Sequence, residues 1–324
     1  VRASARRPVE HSAASKVITI EPGTGTNVIV DRLAEAGIVQ HPTVLKLYLK
    51  FSGEWGGLKA GDYTFQSPIS ALEALEKIKR GEVALERITI REGLNRFDVA
   101  QLLATRTSKA TPEEFLKLTE DQSLIIRFAP LNRDLEGFLF PDTYNYSAKT
   151  TPEELVGAMV SRFEEMFTGQ MAARASELGM TINQVVTLAS IIEKEARVDE
   201  ERPIISSVFY NRLRKGMPLA SDPTFIYAAI LAGDYDGNPN QPRHRSRVSA
   251  YNTYQVPGLP PAPIASPGKA SLDAALNPAK TDYLYFVAIA NTGRHKFSYT
   301  AEEHEQAVGD YRRYQRESRG QGAR

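Results

Sequence analysis

The chain has 324 residues, 42% hydrophobic and 24% charged, and its 40 basic residues against 39 acidic ones leave a formal charge of +1. That balance suits a soluble protein of one or two domains and offers no global field to steer nucleic acid, so no nucleic-acid partner is expected. Cysteine is absent and the five histidines show no paired ligand spacing, which excludes zinc-thiolate, redox and thiol-nucleophile chemistry and leaves neither a metal nor a cofactor expected.

No apolar run approaches the roughly 18 to 20 residues that a membrane span requires. The chain opens at Val1 rather than Met, so a signal peptide or membrane anchor is expected upstream. Residues 1–16 are polar and rich in small residues, with Arg2, Arg6 and Arg7 close together, and read as a flexible juxtamembrane segment. From Val17 to Ile20 a β-branched run leads into Glu-Pro-Gly and then the apolar spacing Val28, Val30, Leu33, the pattern of strand, turn and helix. A helix is expected around Val44 to Phe51 and a strand near Gly61 to Phe65. A further helix over Ile69 to Lys79 places Leu72, Leu75 and Ile78 on one face and stops at Gly81. The order β-α-α-β, then helix, describes a small α+β module over residues 17–86. ITIEPG at Ile18 to Gly23 is answered by ITIREG at Ile88 to Gly93, so strand-turn-helix is expected again where the second part begins.

Helices dominate from there. Thr111-Pro112-Glu113-Glu114 and Thr151-Pro152-Glu153-Glu154 each supply a threonine cap, a proline at the first helical position and a glutamate to close a capping box. Between them Leu135 to Tyr146 is aromatic-rich and broken by a proline, so a loop with a short strand is expected. Its aromatics either pack there or stack on sugar faces.

The stretch Ile182 to Thr224 carries the chemistry. Projected at 100° per residue, Asn183, Thr187, Ser190, Lys194 and Arg197 share one polar strip, and neither Glu193 nor Glu195 lies on it. Glu195 falls among Leu188, Ile191 and Ile192; Glu193 falls between Val186 and Ala189. A carboxyl held against aliphatic side chains resists ionisation and can act as a general acid near neutral pH. The other reading of each glutamate is an ion pair with Arg197, Arg202, Arg212 or Arg214.

Ser221 to Thr224 reads as cap and first turn of a helix over Phe225 to Leu231, and Gly233 to Ser249 as a long surface loop. Tyr251 to Gly268 holds five prolines and several tyrosine and leucine anchors, and is expected to be an ordered wall facing Glu195. A helix from Leu272, a strand over Tyr283 to Ala288 and a helix over Glu302 to Tyr314 follow. Residues 315–324 read as a disordered tail.

Taken in order, ASIIEKEA, VFYNRL, SDPT, YNTY, GLPPAPIASPG and YLYFVA, with KAGDYTF and LEGFLFPDTY before them, resemble the endolytic murein transglycosylases of the MltG or YceG type, from Lys16 to about Tyr311. The resemblance implies an α+β chain: a small LysM-like βααβ module (17–86), then a larger mixed α/β catalytic domain (87–314) with a lytic-transglycosylase-like catalytic helix. It implies cleavage of the bond between N-acetylmuramic acid and N-acetylglucosamine without water, leaving 1,6-anhydro ends on peptidoglycan glycan strands. One glutamate serves as acid and then base. Ile192-Glu193-Lys194-Glu195-Ala196 fits the family pattern best with Glu195 in that role, and Glu193 remains the second choice. By resemblance Asn211, Asp222, Tyr251, Asn252, Thr253 and Tyr254 line the glycan cleft, with Glu136 and Tyr144 across it. The resemblance also implies peptidoglycan synthases as partners, and an N-terminal membrane helix, absent from this chain, that holds the catalytic part on the extracytoplasmic side of the inner (plasma) membrane. Two readings stand beside this one: a lysozyme-like hydrolase on the same cleft, and a non-catalytic peptidoglycan-binding protein.

Overall fold

The structure is a computed structural model that describes residues 5–14, 16–53, 56–239 and 241–321. It divides into two compact units, Val1–Ile88 with Asn145–Thr151, and Thr89–Tyr144 with Pro152–Arg324.

In the first unit β1 (Ile18–Ile20) pairs antiparallel with β2 (Gly61–Tyr63), in the register Ile18 to Tyr63 and Ile20 to Gly61. Helices α1 (Thr26–Glu35) and α2 (Pro42–Ser52) lie between the strands in sequence, and α3 (Ala71–Arg80) follows. This is the β-α-α-β order expected. Ile29, Val30, Leu33, Leu49, Tyr63 and Ile78 form the centre of its core. Helix α3 starts at a complete capping box between Ser70 and Glu73 and ends at Gly81, whose φ of 78° only glycine adopts without strain. Its buried stripe is Ala71, Ala74, Leu75 and Ile78; Leu72, placed on that stripe by the sequence, is only partly buried.

The opening segment differs from its expectation. Val9 and Ile69 exchange backbone hydrogen bonds of 2.9 and 3.2 Å, and Ala13 is buried. Residues expected to be flexible are therefore pinned against the start of α3, because paired backbone groups offset the entropy of ordering a polar segment. Arg2 lies outside the described residues. β3 (Glu86–Thr89) pairs with β4 (Thr143–Tyr146), and the division between the units falls within that ribbon.

The second unit is built on α8 (Ile182–Glu195), with α4 (Arg96–Thr107), α5 (Pro112–Leu118), α6 (Pro152–Met166) and α7 (Gly169–Glu177) preceding it. Eight consecutive residues of α8, Val185 to Ile192, are buried. Two members of the polar strip, Thr187 and Ser190, are buried with the rest. The Ser190 hydroxyl is satisfied internally, donating to the Thr187 carbonyl at 2.7 Å and accepting from Ile264 N–H at 3.1 Å.

That second bond belongs to a series that lays the proline-rich segment along the helix. Asn183 donates to the Pro261 carbonyl at 3.1 Å near the start of α8, and Gly268 N–H donates to Glu193 at 3.0 Å near its end. The segment is ordered by its partners as well as by its prolines. Gly137 allows the LEGFLF loop to close on it. With φ at 85°, a Cβ there would lie 2.4 Å from the Pro263 ring and 3.0 Å from Val186. Gly137→Ala is expected to cost roughly 2 to 4 kcal/mol, combining left-handed strain with overpacking against a rigid ring. Urea unfolding checks it, and a loss below 1 kcal/mol would mean the loop is free to retreat.

Beyond α8, α9 (Arg202–Arg214) and α10 (Asp222–Leu231) pack on it, and so does α12 (Lys269–Leu276). The loop expected over Gly233 to Ser249 contains a short helix, α11 (Pro242–Arg245), which buries His244 completely. The expected strand is β5 (Tyr285–Ala288), and it folds back on β6 (His295–Ser298), a partner the sequence reading lacked. The terminal helix α13 (Ala301–Gln321) runs past Gln315, where a disordered tail was expected. Extending a helix adds one hydrogen bond per residue fixed, and Gln, Arg and Glu are good helix formers. Residues 322–324 of that expected tail lie outside the described residues.

Candidate active site

Helix α8 ends at Glu195 because Ala196 turns extended, with φ −71° and ψ 133°. The Glu195 carboxyl is thereby presented at a helix end rather than on a flank. Burial pushes its pKa up to about 7; the bond from Ser221 and the charge of Arg212 oppose that rise, and Asp222 adds to it. Ser221 Oγ donates to Glu195 Oε1 at 2.6 Å. Such a carboxyl is substantially protonated at neutral pH and can give its proton to a bound oxygen.

The surroundings of Glu195 come from three other segments. Arg212 on α9 is held in place by the carbonyls of Leu284 at 2.6 Å and Leu219 at 2.8 Å, and its guanidinium sits 5.1 Å from the Tyr285 ring centroid. Burial pushes the Arg212 pKa down. Asp222, exposed at the start of α10, accepts from the Tyr254 hydroxyl at 2.6 Å. Arg245 covers the Tyr254 ring at 4.2 Å.

Several residues expected in the cleft act behind this surface. Thr253 is 1% exposed, and its hydroxyl accepts from Ser221 N–H at 3.1 Å and lies 2.8 Å from that of Thr224. Asn252 is fully buried and donates to the carbonyls of Arg245 at 2.9 Å and Arg247 at 2.7 Å, folding its own loop. Asn211 is buried too, and ties α9 to the carbonyls of Thr281 and Tyr283. Tyr251 is half-buried, edge-on to Tyr227 at 5.2 Å, and burial raises its hydroxyl to about 12.

Glu136 and Tyr144, expected across the cleft, are both buried. Glu136 has no solvent exposure; both its oxygens accept from Arg96 N–H at the start of α4, and Oε2 accepts from Tyr227 OH at 2.8 Å. Burial pushes its pKa up to about 8. This buried carboxyl joins the start of α4 to α10 from within. Tyr144 is likewise buried and donates to the Phe140 carbonyl at 2.5 Å. The amide groups of Asn211 and Asn252 likewise donate to backbone carbonyls.

Glu193 follows the ion-pair reading. Its side chain is 7% exposed, pairs with Arg202 at 3.1 Å and accepts from Gly268 N–H, the capping position of α12. Arg202 in turn reaches Ser271 at 3.0 Å and Asp199. A Cβ at Gly268 would meet the Glu92 carboxylate, which would have to swing aside to admit it. A groove of about 500 Å³ opens beside Glu92, Asp142 and Glu193. Another groove, of about 760 Å³, lies elsewhere, between the β5–β6 hairpin and α13.

Ser221 and Arg212 are the contributors the sequence reading did not assign to the site. Ser221 was expected only as a helix cap, and no local signal relates it to a glutamate 26 residues earlier. Among the described residues no group of three or more His, Asp or Glu side chains is placed to hold a metal ion.

A family model described as the YceG-like family matches residues 18–310. The chain is 32% identical over 332 residues to a Bacillus subtilis protein named endolytic murein transglycosylase, covering 94% of this chain and 87% of that one. A protein of the same name from Streptococcus pneumoniae is 30% identical over 324 residues, which span 91% of this chain and 58% of the longer relative. The crystal structure of a YceG-like protein from Listeria monocytogenes superimposes with a TM-score of 0.62 at 30% identity, covering 90% of this chain and 97% of that one.

Proposed function

Because this chain belongs to the YceG-like family, we propose that it is a lytic transglycosylase that cuts peptidoglycan glycan strands internally, between N-acetylmuramic acid and N-acetylglucosamine, with Glu195 as its acid and base. The observation that carries the residue assignment is the desolvated Glu195 carboxyl, lifted to about 7 and held by a single hydroxyl donor at the end of α8. Glu195 gives its proton to the glycosidic oxygen as the bond from that oxygen to muramyl C1 breaks. The carboxylate then takes the proton of the muramyl C6 hydroxyl as that oxygen bonds to C1. The proton donor is restored, no water is consumed, and the new end is a 1,6-anhydro sugar. Arg212 balances the carboxylate between the two transfers, and Tyr254 with Asp222 supports the sugar beside it.

The test is product analysis on purified glycan strands: anhydro ends resist borohydride reduction and differ in mass by one water from hydrolysed ends. Reducible ends would favour a lysozyme-like hydrolase. Asp222 is the observation that favours this second reading, since an exposed carboxylate beside an acid can direct a water.

The pH dependence follows from the same carboxyl. The free enzyme must hold Glu195 protonated, so kcat/KM is expected to fall above about pH 7, by about tenfold per unit. A rate that keeps rising to pH 9 would remove Glu195 from the acid role.

We extend the proposal to the rest of the chain. The first unit, with its β-α-α-β order, serves as a LysM-like module, and peptidoglycan synthases are the expected partners. Among the described residues no helix is long and apolar enough to cross a membrane. An anchor upstream of Val1, holding both units outside the cytoplasm, is tested by locating the full-length tagged protein.

A further inference from the structure

We infer that Ser221 is a positioning residue for the proton transfer: its hydroxyl, set by a left-handed turn at Ala220, engages Oε1 of Glu195 and leaves Oε2 to carry and deliver the proton. The inference rests on the reading of Glu195 as the acid.

The first support is a hydrogen bond that Ser221 does not make. A serine at a helix N-cap normally accepts from a backbone N–H in the first turn. Ser221 occupies that position for α10, yet its side chain makes no such bond. Its hydroxyl points away from the helix it begins and lies 2.6 Å from Glu195 Oε1.

The second support is the backbone that aims it. Ala220 has φ of 50°, one of three non-glycine residues with positive φ among those described. Ser108 is a helix C-cap and Asn291 is a residue type that tolerates this region, whereas alanine has no side-chain compensation for it. Strain of this kind persists only where the surroundings over-determine it, and it concentrates at functional sites. The surroundings do so here. Ala220 N–H donates to the Thr253 carbonyl at 3.1 Å, Ser221 N–H to Thr253 Oγ1 at 3.1 Å, and Thr224 Oγ1 to the Ser221 carbonyl at 2.6 Å. Ser221 itself is 2% exposed. All three of these bonds are made with Thr253 or Thr224, and their combined effect is to fix one hydroxyl.

The chemistry explains why one hydroxyl matters. The carbonyl oxygen of a protonated carboxyl is a better acceptor than its hydroxyl oxygen, so a donor fixed on Oε1 favours the acidic proton on Oε2. A hydrogen bond to a carboxylate is stronger than one to a neutral carboxyl. The contact therefore strengthens as Glu195 gives up its proton, and assistance that grows toward the transition state raises kcat rather than substrate affinity. Other charges face the same carboxyl: Asp222 from α10 and Arg212 from α9, with Arg245 acting through Tyr254. None of them donates a hydrogen bond to it in this structure, so the directional control falls to Ser221.

Ser221→Ala is tested on an Ala220→Gly background, where the relieved turn secures the fold, and is compared with Ala220→Gly alone. The readouts are kcat and KM on purified glycan strands from pH 5 to 9, and the titration of the Glu195 carboxyl carbon by NMR. Loss of the hydroxyl is expected to lower kcat about tenfold with KM nearly unchanged. The alkaline limb of the rate profile and the carboxyl titration are expected to move together to higher pH. A merely structural serine would move neither. Unchanged kcat and an unmoved limb, with Glu195→Gln inactive, would overturn the role of Ser221 while leaving the acid in place. An active Glu195→Gln enzyme would overturn both, and the titration shift would then appear without any change in rate.

Discussion

Glu195→Gln is expected to fold, bind glycan strands and produce no anhydro ends, with turnover reduced by about 10⁴, the upper end of what general acid-base assistance supplies. Glutamine keeps the volume of the side chain and can still accept the hydrogen bond from Ser221. It cannot transfer a proton to the leaving oxygen or remove one from the C6 hydroxyl. The large effect is expected because both halves of the reaction pass through one carboxyl. Glu193→Gln is the paired control. Its side chain is closed in by Arg202 and Gly268, so the loss should be read in thermal stability, with the rate profile still governed by the carboxyl near pH 7. The groove beside Glu92 and Glu193 states the opposite case. If Glu193→Gln is inactive in a folded protein while Glu195→Gln turns over, the acid sits on that side of α8.

Arg202→Ala is expected to lose about 3 to 5 kcal/mol, because it leaves the buried Glu193 carboxylate without its counter-charge. Arg202 is 7% exposed and joins four elements at once: Glu193 on α8, Ser271 on α12, Asp199 ahead of α9, and α9 itself. Glu92, whose pKa is raised by burial and by Glu193, is held down by the same arginine. Without it, Glu193 loses its charged partner and keeps only the bond from Gly268 N–H. Replacing Arg202 and Glu193 together with methionine should recover much of the loss, since an apolar pair needs no desolvation offset. Urea unfolding of both variants checks this, and a loss under 1 kcal/mol for Arg202→Ala would show that the pair is dispensable.

Local pattern and spacing were enough for the elements themselves. Capping boxes, the Gly81 stop and the β-α-α-β order of the first unit depend on interactions within a few residues, so they are written where they act. The aliphatic company of Glu195 was legible too, because Leu188, Ile191 and Ile192 lie within two turns of it on one helix. The same projection grouped Thr187 and Ser190 on one polar strip, but nothing in it showed that they are buried. Helical spacing reports which residues share a face, not what covers that face, and the cover is a segment more than seventy residues away.

The cleft residues divide along that line. Family motifs carry Asn211, Asn252, Glu136 and Tyr144 as letters, but a letter does not say whether an amide or hydroxyl meets a sugar or a backbone carbonyl; only folding consumed theirs. Glu193 and Glu195 differ by two positions and about 200° around the helix. That angle sent one to Arg202 and the helix start at Gly268, and the other to a hydroxyl on a strained turn. By itself the sequence determined the elements, the family pattern and a short helix end carrying two candidate acids. The tertiary structure alone decided which carboxyl was neutralised and which was left desolvated, because desolvation and hydrogen bonding come from atoms distant along the chain.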